Sequence, residues 1–328
     1  MMMKKFTTAL ALLLISTGIQ AQLSFERDTA APGNLRFTWI HGSLSAKANT
    51  DVRVQVHRYN EHTYILRQNP AIHWEAPFMY LLMGNERAVL LDTGATEEAE
   101  YFPLREVVDG VLLRWAQAQG LQMPELIVLP LGSDQSQTAA LEQFSGRPDT
   151  VIVPPTGAAR NALLGSDWIE GGELDLGGRL LTALPTPGLD AAAMSLYDPW
   201  AQLLFTGNAF YPGRLVIRDF DAYQQTLTDL VELADSHPVN MIFGGRIEMT
   251  SQPGLDYRLR ANYRPNERAL EMGPRHLGIA LQAVNLINGS TDIRILNDFI
   301  LMHGVGRGAR DYGFPVYTPA QFQAPSTR

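Results

Sequence analysis

Leu126-Ile127-Val128-Leu129-Pro130-Leu131-Gly132-Ser133-Asp134-Gln135-Ser136-Gln137 joins a buried strand to the start of a helix. Its first four residues form an apolar run of strand length, and residues 138–144 read as the first helical turns. A loop between a strand and a helix N-terminus is held rigidly at both ends, which favours a binding site. Ser133, Asp134 and Ser136 suit the N-cap of the following helix, and an Asp there also complements the helix dipole. The loop contains no histidine.

Upstream, strand-like runs lie close together at residues 52–56, 63–66, 78–82 and 88–91. Gly84-Asn85-Glu86 forms the hairpin turn between the last two, and the fourth run ends in Asp92-Thr93-Gly94. Leu104, Val107, Val108, Val111, Leu112 and Trp115 then recur at helical spacing, with Gly120 placed to stop the helix. Downstream come a strand at 151–153, a short helix at 158–164, and strands at 173–176, 180–184, 194–197 and 203–206. A helix is expected over 221–234, a strand at 241–243, a helix over 274–287 and a last strand at 299–302. Before all of these, 35–40 reads as a strand and 42–49 as a mobile loop. Strands then helices, repeated once, predict an α/β chain with two sheets face to face and helices outside.

The chain has 328 residues, a formal net charge of -8 and no cysteine. The acidic balance excludes a phosphate-backbone binder, so no nucleic-acid partner is expected. Without cysteine there is no disulfide and no thiolate ligand for a metal. Residues 1–21 have the layout of a signal peptide: Lys4 and Lys5, an apolar segment at 9–15, and Ile19-Gln20-Ala21 as the cleavage site. This predicts a periplasmic or secreted protein with no integral membrane segment after signal removal. The seven histidines form no compact metal motif. His303-Gly304-Val305-Gly306-Arg307-Gly308 reads as a flexible loop, and Tyr312, Phe314 and Tyr317 as cover for a sheet edge.

Several landmarks occur in a fixed order. Ala88-Val89-Leu90-Leu91-Asp92-Thr93-Gly94 is followed by Leu129-Pro130-Leu131 and the loop, then by Pro185-Thr186-Pro187-Gly188. Met194-Ser195-Leu196-Tyr197-Asp198, Leu204-Phe205-Thr206-Gly207-Asn208, Tyr211-Pro212-Gly213-Arg214 and Gly244-Gly245-Arg246-Ile247-Glu248-Met249 complete the set. The series resembles the metallo-β-lactamase fold superfamily from about residue 52 to residue 272. The resemblance implies a four-layer αβ/βα sandwich with its site at the sheet edge between two halves. It divides the chain into a signal peptide (1–21), an N-terminal extension (22–50), a metallo-β-lactamase-like domain (51–272), and a C-terminal helix and tail packing on it (273–328).

The resemblance also assigns the family's metal positions. The loop motif His-x-His-x-Asp-His falls on Gly132, Asp134, Ser136 and Gln137. The later ligands fall on Leu189, Asn208 and Arg246. None keeps the family residue, and only Asp134 is a good metal ligand, whereas a catalytic zinc needs about three. The expected cofactor is therefore none, although zinc is usual in the family. Without the ion, the metal-bound hydroxide that attacks a carbonyl in the family is missing. The Arg246 guanidinium is expected to fill part of the metal volume and pair with Asp134, Asp92 or Asp190, since an Arg–carboxylate fork can replace lost ligand bonds. Asp92, Asp134, Asp190, Asn208 and Arg246 are the candidate ligand contacts of the cleft. The reading is an exported pseudoenzyme that binds a small molecule or a protein. The alternatives are a hydrolase of lactam, lactone, thioester or similar ester with a rebuilt site around His57, His62 or His73, and a structural or assembly protein.

Overall fold

Phe78–Met83, Met194–Asp198 and Leu203–Gly207 are buried at every position. Strands this dry must be covered on both faces, as in a sheet packed between two layers. The structure, a computed structural model, describes residues 22–27 and 29–309. The expected signal segment and the tail aromatics Tyr312, Phe314 and Tyr317 lie outside the described residues.

The first half comprises β1 (Val54–Asn60), β2 (Thr63–Gln68), β3 (Phe78–Met83), β4 (Arg87–Leu91), α1 (Leu104–Gln119), β5 (Glu125–Leu129), α2 (Gln135–Thr138), β6 (Thr150–Ile152) and α3 (Gly157–Leu164). The second comprises β7 (Gly172–Asp175), β8 (Leu180–Pro185), β9 (Met194–Asp198), β10 (Leu203–Gly207), β11 (Arg214–Ile217), α4 (Phe220–Ser236) and β12 (Met241–Gly244). The chain continues through β13 (Glu271–Met272), α5 (Arg275–Ile287), β14 (Asp292–Ile295) and β15 (Ile300–His303). One six-stranded sheet runs in order from β1 to β6, and a second runs β13-β12-β10-β9-β8-β7.

The period-two pattern of each strand splits its side chains between two cores. In β5, Ile127 and Leu129 join Phe78, Tyr80, Leu196, Phe205 and Phe243 between the sheets. Leu126 and Val128 point the other way, against Leu104, Val108, Val111, Leu112 and Trp115 of α1. On the far side of the second sheet, Leu204 and Ile242 pack with Leu227 and Leu230 of α4 and Leu277 and Val284 of α5. The layers are therefore helix, sheet, sheet, helix, as the αβ/βα expectation requires. Gly120 stops α1 in the left-handed conformation (φ 65°), and its N–H reaches the Ala116 and Gln117 carbonyls.

Two local readings need correction. Residues 35–40 form no strand; Trp39 and Phe37 pack their rings on Phe78 and His57 instead, so contact by aromatic side chains replaces backbone pairing. The helix expected from 138 begins earlier and is one turn long, capped by Asp134, and a 3₁₀ turn at Leu141–Phe144 follows. The tail strand does form, but with two partners the pattern did not suggest: β11 pairs parallel with β15, which pairs antiparallel with β14.

β4 and β5 are parallel neighbours, and so are β10 and β12. All four end at one edge of the sandwich, where their C-terminal loops face each other. This edge positions the candidate site.

Candidate functional site

Asp92 follows β4 in the left-handed region (φ 65°), a conformation that Asp tolerates better than most residues. The turn aims its carboxylate under the next loop. There it accepts from the Leu131 N–H (2.7 Å) and from Gln137 Nε2 (3.1 and 3.3 Å). Burial pushes the Asp92 carboxyl up to about 7, against the opposing pull of those two donors and of Arg246. Asp134 opens α2, its Oδ1 accepting from the Ser136 N–H and hydroxyl (both 3.1 Å).

Gln137 carries the chain of bonds across to the second sheet. Asn208, just past β10, donates from Nδ2 to Gln137 Oε1 and to Ser136 Oγ (both 3.1 Å). Asn208 Oδ1 accepts from Arg246 Nε (3.2 Å). Side chains this close need small neighbours. A Cβ on Gly132 would lie 2.4 Å from Gln137 Oε1, and one on Gly207 would lie 2.8 Å from Gln137 Nε2.

Arg246 follows β12, is 4% exposed and lies over the Tyr211 ring (5.0 Å). Its guanidinium pairs with Glu75 through Nη1 and faces Asp134 Oδ2 at 3.7 Å through Nη2. Beyond Glu75 the alternation of charge continues. Arg307 donates to Glu75 Oε1 (2.7 Å) and pairs with Glu248. Glu248 Oε2 accepts from the Arg214 N–H (2.7 Å), and Arg214 Nε bonds Asp256 (2.6 Å). Burial works against ionisation of Asp134 and Glu248, but the neighbouring guanidinium groups and hydrogen bonds hold both below the usual carboxylate range. Burial also opposes the charge on Arg307, which Glu248, Tyr211 and Glu75 outweigh, raising it above the ordinary arginine value.

Above this network opens a cavity of about 550 Å³. Ser133, Asp134, Leu189, Asp190, Asn208 and Arg246 line it; Asp92, expected among the cleft contacts, is 1% exposed beneath the loop and does not. The Arg246 expectation holds for Asp134 alone. Asp92 is held by Gln137 and Leu131, and Asp190 by Ser133 (2.9 Å from the hydroxyl) and Ala192 (3.0 Å). The main partner, Glu75, was missed; it lies in an irregular stretch with no motif around it. Arg307 was missed because its glycines read as a flexible loop, yet its side chain is pinned by two carboxylates and lies over Trp74. Glu248 stood within a landmark without a role.

Of the histidines of the rebuilt-site alternative, His57 and His62 are engaged away from the cleft, whereas His73 lies close enough to Glu75, Arg246 and Asp134 to feel their charges. His57 bonds the Asn34 carbonyl, His62 accepts from Trp115 (3.1 Å), and His73 accepts from the Glu75 N–H (3.3 Å). No histidine lines the cavity. The donor set does not fit zinc. A permanent cation and two amides bonded to each other stand at the family's ligand positions, and Leu189 is apolar. Among the described residues no three His, Cys, Asp or Glu side chains form a group that could hold a metal ion.

No family model matches the chain. Over 98 residues it is 31% identical to the acyl-coenzyme A thioesterase MBLAC2 of Gallus gallus, a match of 29% of this chain and 35% of that one. The chain thus spans about a third of the length of that relative. Among solved structures it is similar to a metallo-β-lactamase from Pontibacter korlensis, at 15% identity and a TM-score of 0.46, over 71% of this chain and 99% of that one. It is also similar to a metallo-β-lactamase from Erythrobacter litoralis, at 11% identity and a TM-score of 0.46, over 71% and 97%. The four layers and the order of both sheets give the αβ/βα sandwich that the landmarks led us to expect. No helix among the described residues is long and apolar enough to cross a membrane.

Proposed function

We propose that this is an exported, metal-independent member of the superfamily, periplasmic or secreted, that binds a ligand in the remodelled cleft. The Arg246 guanidinium carries the reading. It lies among Glu75, Asp134 and Asn208, at positions a metal centre would need. A buried arginine holds its charge at any ordinary pH, so it compensates the carboxylates as the ion would. Ser136 and Asn208 replace two acidic ligands with neutral ones, so no uncompensated pair of carboxylates is left to repel. The cleft above stays open, which suits binding.

Metal content tests this. Mature protein grown with added zinc, and again after dialysis against zinc, iron and manganese, is expected to hold less than about a tenth of an equivalent. Close to one tightly held equivalent overturns the proposal.

A second reading, a hydrolase with a rebuilt site, draws on the partial similarity to an acyl-coenzyme A thioesterase. Turnover of an acyl-coenzyme A that disappears in Asp134→Ala and survives chelation would favour it.

A further inference from the structure

Strand β11 is an edge of the three-stranded sheet, whose order is β11-β15-β14. Along a paired strand, successive residues direct their backbone groups to opposite sides. The Ile300 N–H donates to the Gly213 carbonyl (2.8 Å), so Gly213, Leu215 and Ile217 face β15. Arg214, Val216 and Arg218 face outward. Arg214 is satisfied there: its N–H donates to Glu248 Oε2 and its carbonyl accepts from the Tyr211 hydroxyl (both 2.7 Å). The Arg218 N–H donates to the Gly188 carbonyl (2.9 Å). Between them, the Val216 N–H and carbonyl bond no described residue. Val216 is half-buried in the wall of the cavity, and Tyr211 and Leu189, beside the two blocked ends, line the same cavity. Edge strands are usually protected by a charge, a proline or a bulge, and backbone groups withdrawn from water need partners. Here an open edge, one residue long, faces a space of about 550 Å³, a volume in the range of ligand sites.

Charge adds a direction. Among the residues lining the cavity, Asp134 faces Arg246, Arg307 faces Glu75 and Glu248, and Arg214 faces Asp256. Asp190 is compensated by the buried Arg160 guanidinium, which otherwise bonds only the Ala192 and Pro130 carbonyls. Arg218 is exposed and has no ion-pair partner among the described residues. It stands two residues, roughly 6.6 Å, along the strand from Val216. Gly188 occupies the next outward place on the edge. A chain that pairs with Val216 and runs parallel to β11 is therefore stopped at Arg218, and the end it presents there is its carboxylate, which a guanidinium binds well.

We infer that the cleft takes the C-terminal end of a short peptide as a strand added to β11. The amide N–H of the last residue donates to the Val216 carbonyl, the Val216 N–H donates to the carbonyl two residues earlier, and the terminal carboxylate lies on Arg218. Backbone pairing of this kind gives affinity, and Leu189 and Tyr211 offer apolar surface to a side chain. The inference rests on the reading of the cleft as a binding site and names the ligand class for it.

Isothermal titration calorimetry on the mature full chain tests it, with the tripeptides Ala-Ala-Leu, Ala-Ala-Val and Ala-Ala-Phe as probes. At least one is expected to bind. Its C-terminal amide lacks the carboxylate, and its analogue N-methylated at the last amide lacks the donor to Val216; each is expected to bind at least ~10-fold more weakly. Arg218→Ala is expected to weaken binding by ~10-fold or more without moving the thermal midpoint, because that side chain is exposed. Val216→Pro removes the outward N–H and spares the pairing to β15, which runs through Leu215 and Ile217, and is expected to weaken binding alike. Binding by none of the probes overturns the inference. So does equal binding of the amide or of the N-methyl analogue, or Arg218→Ala leaving affinity unchanged. These failures are separable from failure of the broader reading, which is decided by metal content in protein without peptide.

Discussion

On one side of Arg246, Asp92, Gln137 and Asn208 pass hydrogen bonds between amides and a single carboxylate. On the other side, Glu75, Arg307, Glu248, Arg214 and Asp256 alternate full charges. Both chains start from the same guanidinium, and apart from the half-buried Arg307 both are buried. The amide side is held by neutral atoms that need only good geometry. The ionic side adds charge and holds it in low dielectric, where each ion depends on its neighbours. The amide side should thus tolerate change better.

The largest test of this contrast is Arg246→Met. Removing the guanidinium leaves Glu75 (9% exposed) and Asp134 short of a partner, and breaking a buried pair from one side typically costs ~3–5 kcal/mol. Urea denaturation is expected to show a loss of that size with an unchanged m-value. A loss below ~1 kcal/mol would mean that the ionic chain is effectively solvated, and the contrast would break. Gln137→Ala tests the amide side. It removes one donor to Asp92 and one acceptor for Asn208, and the expected cost is ~1–3 kcal/mol. Equal costs for the two variants would erase the distinction.

Asp92 gives a smaller effect with a defined sign. Its folded value is pushed from 3.8 up to about 7, chiefly by burial. Between about pH 4 and 7 the folded state therefore keeps a proton that the unfolded state has lost. This contribution stabilises at low pH and is lost as pH rises through the folded value. His62, lowered from 6.5 to about 4 chiefly by burial, acts oppositely, and so does His73, which is lowered too. They are neutral when folded and protonated when unfolded below about pH 6.5, so their contribution is lost as pH falls. Asp134 and Glu248, held low, add stability present above the unfolded carboxylate values and lost in acid. The Asp92 part is isolated by comparing wild type with Asp92→Asn in urea. From pH 5 to 7 the wild type is expected to lose ground to the variant by no more than ~1.4 kcal/mol per pH unit. Parallel curves would show that Asp92 is ionised in the fold across that range.

Periodicity made the layers legible, because burying a strand on both faces or a helix on one leaves a pattern that a few residues suffice to show. The landmarks at the strand ends bring Asp134, Asn208 and Arg246 to one cavity, but Asp92, read with them, is buried beneath it. Glu75 and Arg307 were not legible. Their pairing spans 232 positions of sequence, and nothing local distinguishes a buried ion from a surface one. The β11–β15 pairing was hidden similarly, since parallel neighbours distant in sequence leave no turn signature between them. The direction of an arginine is decided by the partner it finds, and Arg246 found Glu75 where Asp92 and Asp190 were already held by amide and hydroxyl donors.

Arg58 and Glu61 offer the smallest expected effect and the sharpest control. They form an ion pair of 3.6 Å on the surface, with side chains 57% and 68% exposed. The charges are those of Arg246 and Glu75; the surroundings differ. Water screens the surface pair and already solvates each group, so removing one partner strands nothing. Arg58→Ala is expected to change stability by less than ~0.5 kcal/mol, with no dependence on added salt beyond that. A cost approaching that of Arg246→Met would mean that an arginine–carboxylate contact is worth the same at either place. The stability of the cleft would then come from the chemistry of the pair and not from its burial.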